Sequence, residues 1–137
     1  MTEKRVLDPK DRRMFKRVAD SFFVTYQVRF PFKVRIRLGA EECVAVAQDI
    51  GEGGIGVLTS HNVPSNVLLT TNFTIRNDRE SQEKSRVFEL PGDVRYKIYA
   101  KKDKAYRIGI CFFNVSKADR NFIANYITTQ DLKSASQ

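Results

Sequence analysis

Short runs of β-branched and aromatic residues, each closed by glycine, proline or a charged turn, recur from residue 22 almost to the end of the chain. No other feature restricts the fold as much, because runs of this length and composition suit strands rather than helices. Residues 22–30 (FFVTYQVRF) read as the first strand, interrupted by Pro31. Residues 32–38 (FKVRIRL) alternate strictly, which predicts a strand with Lys33, Arg35 and Arg37 on one face and Phe32, Val34, Ile36 and Leu38 on the other. Gly39 turns the chain. Residues 42–50 predict another strand, ending in Gly51-Glu52-Gly53-Gly54, and residues 55–59 a short one. A loop over 61–66 carries Pro64, and 67–75 form a further strand. Residues 76–85 are almost wholly polar or charged, as expected of an exposed hairpin loop. Two runs, 87–90 and 94–100, flank Pro91-Gly92, and the second forms a long hairpin with 106–113 across the turn at 101–104.

The period then changes. Ser116 and Asp119 make a capping-box-like start, and Ala118, Phe122, Ile123, Tyr126 and Ile127 recur at helical spacing, predicting one amphipathic helix over 116–129. Residues 1–10 read as a flexible leader, 11–18 as a loop with a local turn, and 131–137 as a frayed tail. A single domain over 11–130 follows, a small antiparallel barrel or sandwich with one docked helix.

Charge is placed unevenly. Residues 1–37 hold eleven lysines or arginines against four acids, so they supply seven of the eight net positive charges. That asymmetry points to an anionic partner for the N-terminal third: nucleic acid, a nucleotide or an acidic membrane surface. Cys43 and Cys111 are isolated, each inside an apolar run, which predicts buried reduced thiols and fits a cytoplasmic protein. No N-terminal stretch resembles a signal peptide, and no run approaches the roughly 18 apolar residues of a membrane span.

The sequence offers no catalytic constellation. His61 is the single histidine, without a nucleophile motif or metal-ligand spacing beside it, so neither an enzyme nor a metal site is expected. The acids Glu41, Glu42, Asp49 and Glu52 cluster in sequence as strand edges and turns often do. Two stretches carry recognition chemistry instead. Residues 11–17 (DRRMFKR) contain Arg12, Arg13 and Arg17, and the planar forks of arginine hold phosphates bidentately and stack on bases. Residues 49–56 (DIGEGGIG) pack four glycines behind Asp49, which permits positive φ or close backbone approach. There Asp49 either accepts from a guanine edge or an arginine, or simply caps a tight hairpin turn.

Taken together, these stretches and their order resemble the PilZ domain family, whose pattern is Arg-x-x-x-Arg followed by Asp/Asn-x-Ser-x-x-Gly. The resemblance runs from Asp11 to Ile127 and includes the last strand, YRIGICFF over 106–113, and the closing helix. It implies a six-stranded antiparallel β-barrel with one C-terminal helix, and a non-enzymatic receptor for the bacterial second messenger cyclic di-GMP. Arg13 and Arg17 match the paired arginines, Arg12 the extra arginine ahead of them, and Asp49 and Gly54 the ends of the second motif. Gly51 stands where the family has serine, so one hydrogen bond of about 0.5–1.5 kcal/mol net is missing, worth about tenfold in affinity. The implied ligand set is Arg12, Arg13, Arg17, Asp49, Gly51 and Gly54, with no cofactor or metal. Relay through ordering of the N-terminal segment toward a protein partner is the implied output. Monomer and homodimer stay open, as do a PilZ-like interaction module that no longer binds nucleotide and a basic nucleic-acid-binding surface using Lys33, Arg35 and Arg37.

Overall fold

A computed structural model describes residues 17–39, 41–77 and 85–135, with backbone alone for 17–20 and 131–135. Its elements are β1 (Arg17–Phe30), α1 (Phe32–Arg37), β2 (Cys43–Gly51), β3 (Gly54–Thr59), β4 (Leu68–Arg76), β5 (Ser85–Ala100), β6 (Ala105–Phe112) and α2 (Lys117–Ala135). The six strands close into an antiparallel barrel in the order β1-β2-β3-β6-β5-β4. Alternation fixes which face of each strand turns inward. Val24, Tyr26 and Val28 of β1, Ile55 and Val57 of β3, and Ile108 and Ile110 of β6 are all buried in one core. Each such apolar side chain contributes about 1.5–3 kcal/mol by leaving water.

Helix α2 closes one end of the barrel. Its start matches the expectation, since the Ser116 hydroxyl accepts from the Asp119 N–H at 3.1 Å. Phe122, Ile123, Tyr126 and Ile127 are buried, Phe122 meets Phe88 edge-on at 5.9 Å, and Arg86 Nε donates to Asp119 Oδ1 at 2.7 Å. The opposite end is spanned by α1, the loop after β3 and the β5–β6 hairpin turn, because strand direction alternates around the barrel.

Several expectations are corrected. Residues 32–37 form a helix and not a strand: Val34 alone of its side chains is buried, while Phe32 and Ile36 face solvent. The closed barrel leaves no strand edge for this segment to pair with, so it forms a helical turn whose first N–H groups, on Val34 and Arg35, donate to the Pro31 carbonyl at 3.1 and 3.2 Å. Strand β1 begins at Arg17, so residues 17 and 18 pair with Gly51 and Ile50 instead of belonging to a loop. The two runs around Pro91-Gly92 are one strand. Pro91 fits inside it because the β5–β6 ladder ends at the Gly92–Phe112 pair, where Pro91 needs no N–H. The helix continues to Ala135, through most of the expected tail. The leader at 1–10 and most of the 76–85 loop lie outside the described residues.

Candidate functional site

The end of β2 carries a cluster of interacting polar side chains on the outer wall. A bulge at Gln48, where Ala47 pairs with Val57 but Asp49 with Gly56, shifts the alternation so that Ile50 returns to the core while Asp49 faces outward. The Asp49 carboxylate lies against β6, where Arg107 Nη2 donates to its Oδ2 at 2.5 Å and Arg107 Nη1 donates to Gln48 Oε1 at 2.5 Å. The pair is largely shielded, with side-chain exposures of 15% for Asp49 and 30% for Arg107, so its attraction is screened less than that of a surface pair. Burial pushes the Arg107 guanidinium down, but the Tyr96 hydroxyl and the Asp49 carboxylate outweigh it and hold the group above its ordinary range.

Two glycines make room for this arrangement. A Cβ on Gly56 would meet both Asp49 carboxylate oxygens, at 3.0 and 3.1 Å, and Arg107 Nη2 at 3.2 Å. A Cβ on Gly109, which pairs with Gly56 and with Tyr96, would fall into the Tyr96 ring. The ring and the ion pair therefore lie flat over neighbouring strands, side by side on the barrel wall.

Register joins this patch to the arginine run. Arg17 pairs with Gly51 and Ala19 with Asp49, so the last arginine of the Arg-x-x-x-Arg pattern is across the ladder from the second motif. Gly51 is buried at the end of β2, and the hairpin closes through the Gly51–Gly54 pair. Gly54 lets β3 and β6 close on each other, because a Cβ there would sit on the Ile110 carbonyl oxygen, and the Phe112 N–H donates to the adjacent Gly53 carbonyl at 2.9 Å. Gly54 and Gly56 therefore work by close approach, and among the described residues the positive-φ glycine is Gly39. Arg12 and Arg13 lie outside the described residues.

The PilZ domain family model matches residues 11–129. The chain belongs to the PilZ domain family. Among solved structures this PilZ domain is similar to the Bacillus subtilis inhibitor of motility MotI/DgrA, at 20% identity and a TM-score of 0.70, covering 89% of this chain and 52% of that one. It is also similar to Escherichia coli YcgR in complex with c-di-GMP, at 15% identity and a TM-score of 0.63, covering 91% and 48%. The PilZ domain of YcgR with c-di-GMP matches at 14% identity and a TM-score of 0.58, covering 91% and 95%. The chain thus spans about half the length of the first two proteins and nearly all of the isolated domain. A search of curated proteins finds no match.

Sequence reasoning missed Arg107, Gln48 and Tyr96. Arg107 was visible only as a lone cation inside the apolar run 106–113, and nothing local assigned it to Asp49, which is 58 residues away. Lys33, Arg35 and Arg37 are on α1 at the far end of the barrel, not on a sheet face beside the site. His61 sits in the loop after β3, and among the described residues no group of three His, Cys, Asp or Glu side chains could hold a metal ion. No described helix is long and apolar enough to cross a membrane.

Proposed function

We propose that this PilZ domain is a receptor for cyclic di-GMP that acts by binding and not by catalysis. The observation that carries the reading is the register setting Arg17 opposite Gly51, which brings the last arginine of the pattern and the Asp49 turn to one end of the β1–β2 ladder. Arg12, Arg13 and Arg17 supply bidentate donors for two phosphates and flat cationic faces for two guanines. The Asp49 carboxylate is held in place by Arg107, and a carboxylate accepts from both N–H groups of a guanine edge. The two YcgR structures with c-di-GMP are similar in fold and agree with the reading.

Because Arg17 and Val18 are held in β1, the segment that responds to the ligand is the part ahead of residue 17, and its rearrangement is the signal offered to a protein partner. Gly51 favours a second reading, in which the domain binds the nucleotide weakly or not at all and serves as an interaction module.

Calorimetric titration with cyclic di-GMP separates the two. The receptor reading expects binding by the native chain, loss of at least tenfold with Arg13→Ala or Arg17→Ala, and tighter binding with Gly51→Ser. Absence of heat at high micromolar ligand refutes it and leaves the interaction module. Equal binding by both arginine variants removes the arginines from the site.

A further inference from the structure

The end of the barrel opposite the proposed nucleotide site groups exposed apolar side chains with cations. Helix α1 packs on the barrel through Val34 and turns Phe32 and Ile36, one helical turn apart, to solvent at 65% and 57% exposure. Lys33 and Arg35 flank these two side chains, and neither has an ion-pair or hydrogen-bond partner among the described residues. Phe30 at the end of β1 is 61% exposed, beside its ladder partner Leu68 at 40%.

The β5–β6 hairpin is coupled to this surface through one residue. Arg37 Nη2 donates to the Asn62 carbonyl at 3.0 Å, and Lys97 Nζ donates to Asn62 Oδ1 at 2.6 Å. Beyond Lys97 the hairpin exposes Ile98 and Tyr99, and its turn carries Lys101, Lys102 and Lys104 against Asp103. The other carboxylates near this end are Glu41, Glu42 and Asp93, the ladder partner of Leu68; Glu42 is engaged by Thr25 at 3.2 Å and Asn72 at 3.3 Å, and Asp93 by Arg95 at 2.9 Å. Among the described residues, cations therefore outnumber acids at this end of the barrel.

We infer that this end, α1 with the β5–β6 hairpin, docks onto an anionic lipid surface. Large apolar side chains projecting outward from a short helix and a hairpin turn suit insertion among lipid headgroups. Unpaired cations spread around them suit a laterally fluid layer of negative charge, which meets each cation wherever it lies. An acidic protein face would have to match these separated groups in fixed positions. The docking face uses none of the residues assigned to the nucleotide, so it stands or falls separately from the receptor reading.

Co-sedimentation of the full chain with vesicles tests it. Binding is expected to phosphatidylcholine vesicles containing phosphatidylglycerol, to weaken with salt, and to be absent with phosphatidylcholine alone. Lys33→Glu with Arg35→Glu is expected to lower the partition about 25-fold or more, since each cation near such a surface contributes about fivefold. Phe32→Ser with Ile36→Ser leaves charge unchanged and is expected to lower it about tenfold. Circular dichroism and thermal melts establish that these exposed-site variants keep the native fold, and Ile98→Ser on the hairpin provides an independent variant with the same expected direction. The inference is overturned if the native chain does not bind anionic vesicles. It is also overturned if both α1 variants bind undiminished while Arg12→Ala with Arg13→Ala abolishes binding, which assigns the lipid contact to the N-terminal run. Retention on immobilised polyglutamate without vesicle binding points to an acidic protein instead. A dimer abolished by Phe32→Ser with Ile36→Ser, again without vesicle binding, points to a second copy.

Discussion

Gly54→Ala separates a ligand contact from a closure element at a position where the family pattern alone suggests binding. The added Cβ would lie on the Ile110 carbonyl oxygen and 3.3 Å from the Ile110 carbonyl carbon. A carbon normally stays about 3.3–3.6 Å from a carbonyl oxygen, so β3 and β6 must part locally by about 1 Å. Neither side of this contact is a side-chain end that can rotate away. Overpacking of this kind costs about 1–3 kcal/mol. Weakening of the Phe112–Gly53 hydrogen bond, 2.9 Å long, adds about 0.5–1.5 kcal/mol. The smaller entropy of an unfolded alanine offsets about 0.4–1 kcal/mol. The net expectation is a loss of about 2–3 kcal/mol, a large share of the ~5–15 kcal/mol that holds a domain folded. Urea unfolding followed by circular dichroism should show the midpoint falling by about 1–2 M at an unchanged slope. If the variant is folded in dilute buffer, its cyclic di-GMP affinity should stay within about twofold of the parent, since backbone closure and not a side chain was altered. A midpoint within about 0.2 M of the parent refutes the closure role, and an intact midpoint with lost binding returns Gly54 to the ligand site.

Other expectations rest on single contacts. A double-mutant cycle of Arg107→Gln with Asp49→Asn should give a coupling energy of about 1 kcal/mol or more for this shielded pair, whereas a value below ~0.3 kcal/mol means that the ion pair does not hold the site. Burial pushes the Tyr26 phenol up despite its 2.7 Å hydrogen bond with Thr59. The unfolded chain then releases that proton near pH 10 while the fold keeps it, so the associated stability is intact below pH 10 and declines above it. The native chain should lose about 1 kcal/mol more than Tyr26→Phe between pH 10 and 11, and parallel profiles would contradict this. Cys43 is buried and its thiol is pushed up by burial, so under native conditions it should resist an aromatic disulfide reagent until the barrel unfolds. Fast labelling of both cysteines in the folded chain would mean that β2 opens readily.

How far the sequence could be read depended on whether a pattern had one physical meaning. The runs at 55–59 and 106–113 are short, rich in β-branched and aromatic residues and bounded by turns, and they appear as β3 and β6 nearly as bounded. Ser116 and Asp119 announced α2 because a side-chain oxygen before a helical stripe has a specific use, which the 3.1 Å bond fulfils. The run at 32–38 had two meanings. Seven residues of alternation satisfy a strand, but an exposed helical turn needs only one apolar residue on its inner side, here Val34, and barrel closure decided between them. Within the site, Asp49 was legible from its position before a glycine turn. Arg107 and Tyr96 were not, because their relation to Asp49 exists only across three paired strands. The end at which β1 begins was also hidden, since Arg17 and Val18 join the ladder through pairing with Gly51 and Ile50 and not through a strand-like local sequence.

The two outward glycines also determine how such a site can change over generations. The space that a side chain on Gly109 would need is occupied by the Tyr96 ring, and that on Gly56 by the Asp49 carboxylate and the Arg107 guanidinium. A mutation that enlarges residue 109 is therefore tolerated only after residue 96 has shrunk or swung away, and residue 56 is bound in the same way to residues 49 and 107. These positions, spread over β2, β3, β5 and β6, should be inherited as two linked sets. In descendants that abandon Asp49, the constraint on Gly56 should relax first, leaving a record of the loss at a position that need never touch a ligand.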